Sequence, residues 1–258
     1  MTADMPLTHS VLASYPAPHV LCLTLQRPEK RNAYHAQMIA ELEQWLDYSE
    51  GHAEIWTVIL TGSGGVFCSG ADLQEAFEGN GDRVRNRCGG YQPLQHQPRR
   101  KVWIAALNGP AFGGGLEMAL ACDFIVAVET ATVALPEVTH GLLPLGGALS
   151  QLASRLPPNI ARELLLTGEP VSAERALALG VFNQLAAPEK LQEAALMLAA
   201  RINRNAPLAV QACNALLKQH IAAEAESATA LQQLQQSEDY QEGLRAFQQR
   251  RPPRWQGK

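Results

Sequence analysis

Two short apolar runs, Val20 to Leu25 and Trp56 to Leu60, carry strand-forming side chains; between them Met38, Ile39, Leu42, Trp45 and Leu46 recur at the spacing of one helix face. This predicts strand, helix, strand. Thr61-Gly-Ser-Gly-Gly65 has the composition of a turn, and Val66-Phe-Cys-Ser-Gly-Ala-Asp72 is expected to return as a short strand that breaks at Gly70. The alternation then repeats. Val102 to Leu107 reads as a strand, Leu116 to Cys122 as a helix after a glycine loop, Phe124 to Val128 and Thr132 to Leu135 as strands, and Gly147 to Leu156 as a helix. Alternating elements of this kind predict an α/β architecture.

From Pro158 onward the pattern is helical and strand-poor. Helices are expected over Asn159 to Thr167, stopped by Gly168, over Ser172 to Leu179, capped by Ser172 and stopped by Gly180, and over Pro188 to Asn203. Pro207 to His220 and Ile221 to Gln249 continue at helical spacing. The expected division is a main unit over residues 1–200 and a helical region over 201–258, either a subunit-contact unit or a local cap. The polar, glycine-rich stretch from Gly79 to Gly90 lacks apolar periodicity and reads as a mobile surface loop, either a lid or a plain solvated segment.

Composition narrows the function classes. With 258 residues, 47% hydrophobic and 18% charged, the chain can bury a large core without metal or disulfide. A net charge of −4 and a pI near 6.0 argue against a nucleic-acid partner. The five cysteines, Cys22, Cys68, Cys88, Cys122 and Cys213, are odd in number and never spaced Cys-x-x-Cys, which fits a reducing cytoplasm. No apolar run approaches the ~18 residues of a membrane span, and the N-terminus lacks an export pattern, so neither membrane insertion nor export is expected.

Candidate chemistry lies in two constrained stretches. In Asn108-Gly-Pro-Ala-Phe-Gly-Gly-Gly-Leu-Glu117, glycines without Cβ let a ligand reach bare N–H groups at a helix start, where partial positive charge favours an oxyanion. Glu117 then falls in the first helical turn, as a proton-handling group or as an ordinary helix-start acid. Leu135-Pro-Glu137, followed by Gly141-Leu-Leu-Pro144, presents a second carboxylate.

With Arg27-Pro28 before Asn32-Ala33, Ser69-Gly70-Ala71-Asp72-Leu73, Asn108 to Glu117, Pro136-Glu137 and Gly141-x-x-Pro144, the chain resembles the crotonase (enoyl-CoA hydratase/isomerase) superfamily. The resemblance spans nearly the whole chain, through Ser237 to Gly243 and Phe247. It implies a spiral of ββα units with a C-terminal helical region that builds homotrimers or dimers of trimers. It also implies an acyl-CoA thioester as substrate, with no permanently bound cofactor and no metal. By position, the amides of Ala71 and Gly114 would form an oxyanion hole, with Glu117 as base toward water and Glu137 as the acid serving the α-carbon. That is the pattern of an enoyl-CoA hydratase; isomerase-like relatives usually keep only the carboxylate equivalent to Glu137, and dehalogenase-like ones have an aspartate where Leu145 stands. The resemblance places Arg27, Lys30, Ala33, Gly70, Asp72, Leu73, Gly113, Pro136, Leu145, Phe247 and Arg250 on the substrate side, with Arg31 beside them and the last two supplied by a neighbouring subunit. Leu145-Gly146-Gly147-Ala148 departs from the family pattern, whose glycine pair lies one residue later.

Other classes remain to be weighed. Glu137-x-x-His140 has the spacing of a helical metal pair, but Pro136 and Gly141 argue against a helix there. A non-catalytic acyl-CoA-binding relative, a specialised acyl-CoA dehydratase or an isomerase would share most of the motifs. A hydrolase using Cys68 or Ser69 lacks a nucleophile elbow.

Overall fold

The computed structural model describes residues 5–78, 84–218 and 232–258. A six-stranded sheet forms from β1 (Val11–Ala17), β2 (Val20–Leu25), β3 (Thr57–Gly62), β4 (Val102–Leu107), β6 (Phe124–Val128) and β9 (Gln184–Ala186), in that spatial order. β1 and β2 are antiparallel, and the remaining pairings are parallel. All of β4 is buried, as expected of a central parallel strand covered on both faces. A smaller sheet is built from β5 (Ala111–Phe112), β7 (Thr132–Ala134) and β8 (Val171–Ser172). The chain thus alternates between sheets, β4 then β5, β6 then β7, β8 then β9, with helices closing the turns. This is the α/β spiral that the resemblance implied.

Helix α1 (Ala36–Gly51) buries Met38, Ile39, Leu42, Trp45 and Leu46 as the periodicity predicts. It buries one acid too. The Glu41 carboxylate accepts from the amides of His9 (3.0 Å), Ser10 (2.7 Å) and Val11 (2.8 Å), anchoring the start of β1. Removing it leaves buried donors unpaired at about 1–3 kcal/mol each. Glu41→Ala is therefore expected to lower the urea-unfolding free energy by about 3 kcal/mol, and a loss below ~1 kcal/mol would contradict this anchoring.

Helix α2 (Leu73–Glu78) follows the Gly70–Asp72 turn, α3 (Gly114–Ala121) follows β5, and α4 (Ala148–Arg155) and α5 (Pro158–Thr167) follow β7. α6 (Ala173–Ala178) is capped by Ser172, whose Oγ accepts from the Arg175 amide at 3.2 Å. Next, α7 (Leu191–Asn203) packs across β3, β4, β6 and β9, and α8 (Pro207–Lys218) leans on β4. Gly168 and Gly180 stop their helices at positive φ as expected.

Several expectations change. Residues 66–72 form no strand of their own, only single bridges, Cys68 to Ala111 and Ala71 to Tyr34. Positive φ at Gly70 and side-chain claims on Val66 O by Asn32 and Asn108 break the ladder there. β1 has no clear sequence signal because only Val11 along it is buried. The expected helix from Ile221 to Gln249 is interrupted: Ser237 caps a new helix, α9 (Glu238–Gln249), its Oγ accepting from the Tyr240 amide at 3.1 Å, while residues 221–231 lie outside the described residues. Of the predicted loop, 79–83 also lie outside; in the remainder Val84, Asn86 and Gly90 are buried rather than solvated. Asn86 organises it, donating to Gln92 O (2.8 Å) and Gln95 O (2.7 Å) and accepting from the amides of Cys88 and Gly90 (both 2.9 Å). Among the described residues, no helix is long and apolar enough to cross a membrane.

Candidate active site

Gly113 sits at φ 53°, a conformation closed to most side chains, and opens α3. Gly114 is the first helical residue, so its N–H has no acceptor within the helix. Across from it, Tyr34 donates its amide to Gly70 O (2.9 Å) and accepts from the Asp72 amide (2.8 Å). In such a parallel bridge the middle residue, Ala71, turns its own N–H away from Tyr34. The two loops touch: a Cβ on Gly70 would lie 3.2 Å from Gly114 N. The turn that carries Ala71 and the start of α3 are thus in contact.

Glu117 lies one turn into α3 and is 4% exposed. Its Oε1 accepts from the Ala148 amide at 3.0 Å. Burial, with a contribution from the charge of Glu137, raises its pKa from 4.5 to about 7 against the pull of the Ala148 and Gly146 amides. Glu137 stands on the short 3-10 turn Pro136–His140 that follows β7; burial raises its pKa also. Its Oε2 is buried without a hydrogen-bond partner among the described residues, and a Cβ on Gly113 would sit 3.0 Å from its Oε1. Glycine at 113 therefore makes room for one carboxylate.

Glycine at 146 makes room for the other. A Cβ there would lie 2.4 Å from Glu117 Oε2, while Gly147 at φ 113° turns the chain into α4. The shifted glycine pair seats the carboxylate and delivers the Ala148 amide to it.

The sequence reading missed two contributors. Tyr34 is buried with its hydroxyl donating to Tyr91 O (2.9 Å), and a Cβ on Gly114 would fall 2.1 Å from that hydroxyl. Tyr34 directly follows the Asn32-Ala33 pair, so its position was a usable signal. Gln92, fully buried against Gly146, had none, since no motif singles it out.

Of the other substrate-side residues, Arg27, Ala33 and Asp72 meet one another. Arg27 donates to Ala33 O (2.7 Å) and pairs with Asp72 at 3.1 Å, so this guanidinium braces the Ala71 turn. Lys30 acts on Asp72 electrostatically from the exposed 3-10 turn before Arg31. Leu73 and Leu145 are exposed apolar groups, and Pro136 begins the Glu137 turn. Phe247 and Arg250 lie on and just after α9, which within this chain packs by the chain end: Asp239 accepts from the amides of Gln256 and Gly257, and Trp255 donates to Arg204 O. Phe247 is 86% exposed.

Two other chemistries find little support. Residues 136–140 make one 3-10 turn, where His140 Nδ1 bonds Pro136 O (3.1 Å) and Thr139 Oγ1 (3.0 Å). Cys68 is fully buried, which raises its pKa to about 12 and keeps it a poor nucleophile.

The family model described as Enoyl-CoA hydratase/isomerase matches residues 17–258. The chain belongs to the enoyl-CoA hydratase/isomerase family. Mevalonyl-coenzyme A hydratase sidH of Aspergillus fumigatus is 35% identical, over 98% of this chain and 97% of that protein. 2,3-Dehydroadipyl-CoA hydratase of Escherichia coli is also 35% identical, over 93% and 96%. The crystal structure of enoyl-CoA hydratase EchA1 from Mycobacterium marinum superposes with a TM-score of 0.89 at 38% identity, covering 96% of this chain and 99% of that one. Crotonase-type fold and membership of a hydratase/isomerase family acting on CoA thioesters follow; the roles of individual residues rest on the geometry above.

Proposed function

We propose that the protein hydrates a trans-2-enoyl-CoA to a 3-hydroxyacyl-CoA and catalyses the reverse dehydration. The observation that carries this reading is the pairing of two carboxyls of raised pKa, Glu117 buried and Glu137 half-buried, beside the glycine loop that opens α3. The thioester oxygen accepts from the N–H groups of Ala71 and Gly114, which stabilise the enolate-like charge. Ionised Glu117 takes a proton from water as the water oxygen bonds to the β-carbon; protonated Glu137 gives its proton to the α-carbon. One water is added and the two carboxyls end with exchanged protonation states, reset through solvent. Leu73, Pro136 and Leu145 line the acyl side, Gly70 and Gly113 admit the thioester, and Lys30 with Arg27 faces the CoA phosphates. The region from residue 201 serves subunit contact in a trimer or dimer of trimers, where Phe247 and Arg250 reach a neighbour's CoA. A cytoplasmic location fits the unpaired state of Cys22, Cys68, Cys88, Cys122 and Cys213.

The test is turnover of purified protein on enoyl-CoA esters of varied length, branching and polarity, followed by loss of conjugated-thioester absorbance in ¹⁸O-water. Label entering the 3-hydroxyl is expected. Double-bond migration without label would indicate an isomerase, and tight acyl-CoA binding without turnover a binding protein.

The pH dependence has a definite sign. Hydration needs ionised Glu117, so its kcat should fall as pH drops through about 7. Dehydration starts from the same proton count, with the proton on Glu117 and Glu137 ionised, and the reaction takes up no net proton, so kcat/KM in the two directions should follow one pH profile. Profiles of different shape in the two directions would contradict the assigned roles.

A further inference from the structure

We propose that Gln92 and Gln95 are positioning residues for Glu117: their amides clamp the turn from Leu145 to Ala148 against α3 and so hold the carboxyl toward its reacting water. The inference rests on the hydratase reading for its catalytic meaning, but the clamp is visible in the contacts themselves.

The loop that carries both glutamines is closed on itself by Asn86, as described above. Its backbone also fixes which way each amide points. The Leu94 N–H donates to Gln92 Oε1 at 2.7 Å, and the Tyr91 N–H donates to Gln95 Oε1 at 2.6 Å. With both carbonyl oxygens engaged, the two NH₂ groups face outward as donors. Gln92 Nε2 then donates to Gly146 O (3.3 Å) and Gln95 Nε2 to Leu145 O (2.8 Å). Consecutive carbonyls of one turn are held from one loop.

That turn is what touches Glu117. A Cβ on Gly146 would lie 2.4 Å from Glu117 Oε2 and 2.9 Å from Gln92 Cγ, so carboxylate, turn and clamp are in contact. Two residues on, the Ala148 amide donates to Glu117 Oε1. The charged and titratable groups facing Glu117 come from elsewhere: Glu137 from the turn after β7 and Tyr34 from the segment before α1. The clamping loop contributes neutral amides, since Arg85 is directed to the Tyr91 hydroxyl and Arg87 to Asp47. The loop therefore acts on Glu117 through geometry, by keeping one N–H aimed at the ionised form.

The test is a titration of full-length protein with ¹³C-carboxyl glutamate, Glu117→Gln assigning the signal, run beside kcat and KM against pH for a short enoyl-CoA. Loss of the amide disfavours the ionised carboxylate, so in Gln92→Ala and Gln95→Ala the Glu117 midpoint should move up by about one pH unit. Hydration kcat at pH 7 should fall about fivefold while KM changes less than about twofold. Gln97→Ala, which cuts the same loop from Glu43 and Arg87 instead, should leave the midpoint in place. An unmoved midpoint in folded Gln95→Ala, or an equal shift in Gln97→Ala, would overturn the proposal. Gln95 is the more exposed of the pair and serves if Gln92→Ala does not fold. A shifted midpoint in an enzyme that turns over no enoyl-CoA would keep the clamp and remove the hydratase reading.

Discussion

Glu117→Gln is expected to slow enoyl-CoA hydration by about 10²- to 10⁴-fold while acyl-CoA binding changes little, because a positioned base is lost and the site's shape is kept. Glu137→Gln should show a loss of similar size. Near-normal rates in both variants, measured by absorbance of the conjugated thioester, would remove the assigned chemistry. The same Glu117 variant should gain stability with a characteristic pH dependence. The folded-state pKa is raised from 4.5 to about 7, so the contribution of Glu117 is fully present below pH 4.5 and is lost as pH rises through 7. At pH 8, Glu117→Gln should therefore be more stable than the parent by up to about 3 kcal/mol, with little difference at pH 4. Equal denaturation midpoints at both pH values would mean that the carboxylate is not held at a cost. A site that handles protons is here a site that strains the fold.

Gly114→Ala is the second large effect, with an expected loss of about 10²- to 10³-fold in kcat, the size associated with one oxyanion-hole donor. The new methyl would lie 2.1 Å from the buried Tyr34 hydroxyl, so the start of α3 must shift and take its N–H with it. Adding Tyr34→Phe removes the closest contact but leaves ring carbons at 2.9 Å, so recovery should be partial. Turnover of Gly114→Ala within a few-fold of the parent would show that this amide does not bind the developing charge. Far-UV circular dichroism separates that result from unfolding.

How far the molecule was legible in its sequence depends on how local each signal is. β4 and β6 coincide with their apolar runs because buried parallel strands are apolar throughout. Gly168, Gly180 and Ser172 mark helix ends because φ above zero and an amide-accepting hydroxyl are properties of single residues. The strand Gln184–Ala186 carried no such mark; it exists because Val126–Val128 is there to pair with it. The site divides likewise. Glu117, Glu137 and the glycine loop stood out by motif, and the glycines at 113 and 146 are explained by the carboxylates that occupy the space a methyl would need.

The sequence by itself determined the alternation of strand and helix, the family and the two acids, since periodicity, turn chemistry and motif order are written in consecutive residues. Only the tertiary structure decided that Tyr34, Gln92 and the Ala148 amide surround those acids, that Arg27 braces Asp72, and that the shifted glycine pair seats Glu117. The reason is physical. Desolvation, close approach and amide direction belong to groups brought together from distant parts of the chain, and no local pattern encodes the distance between them.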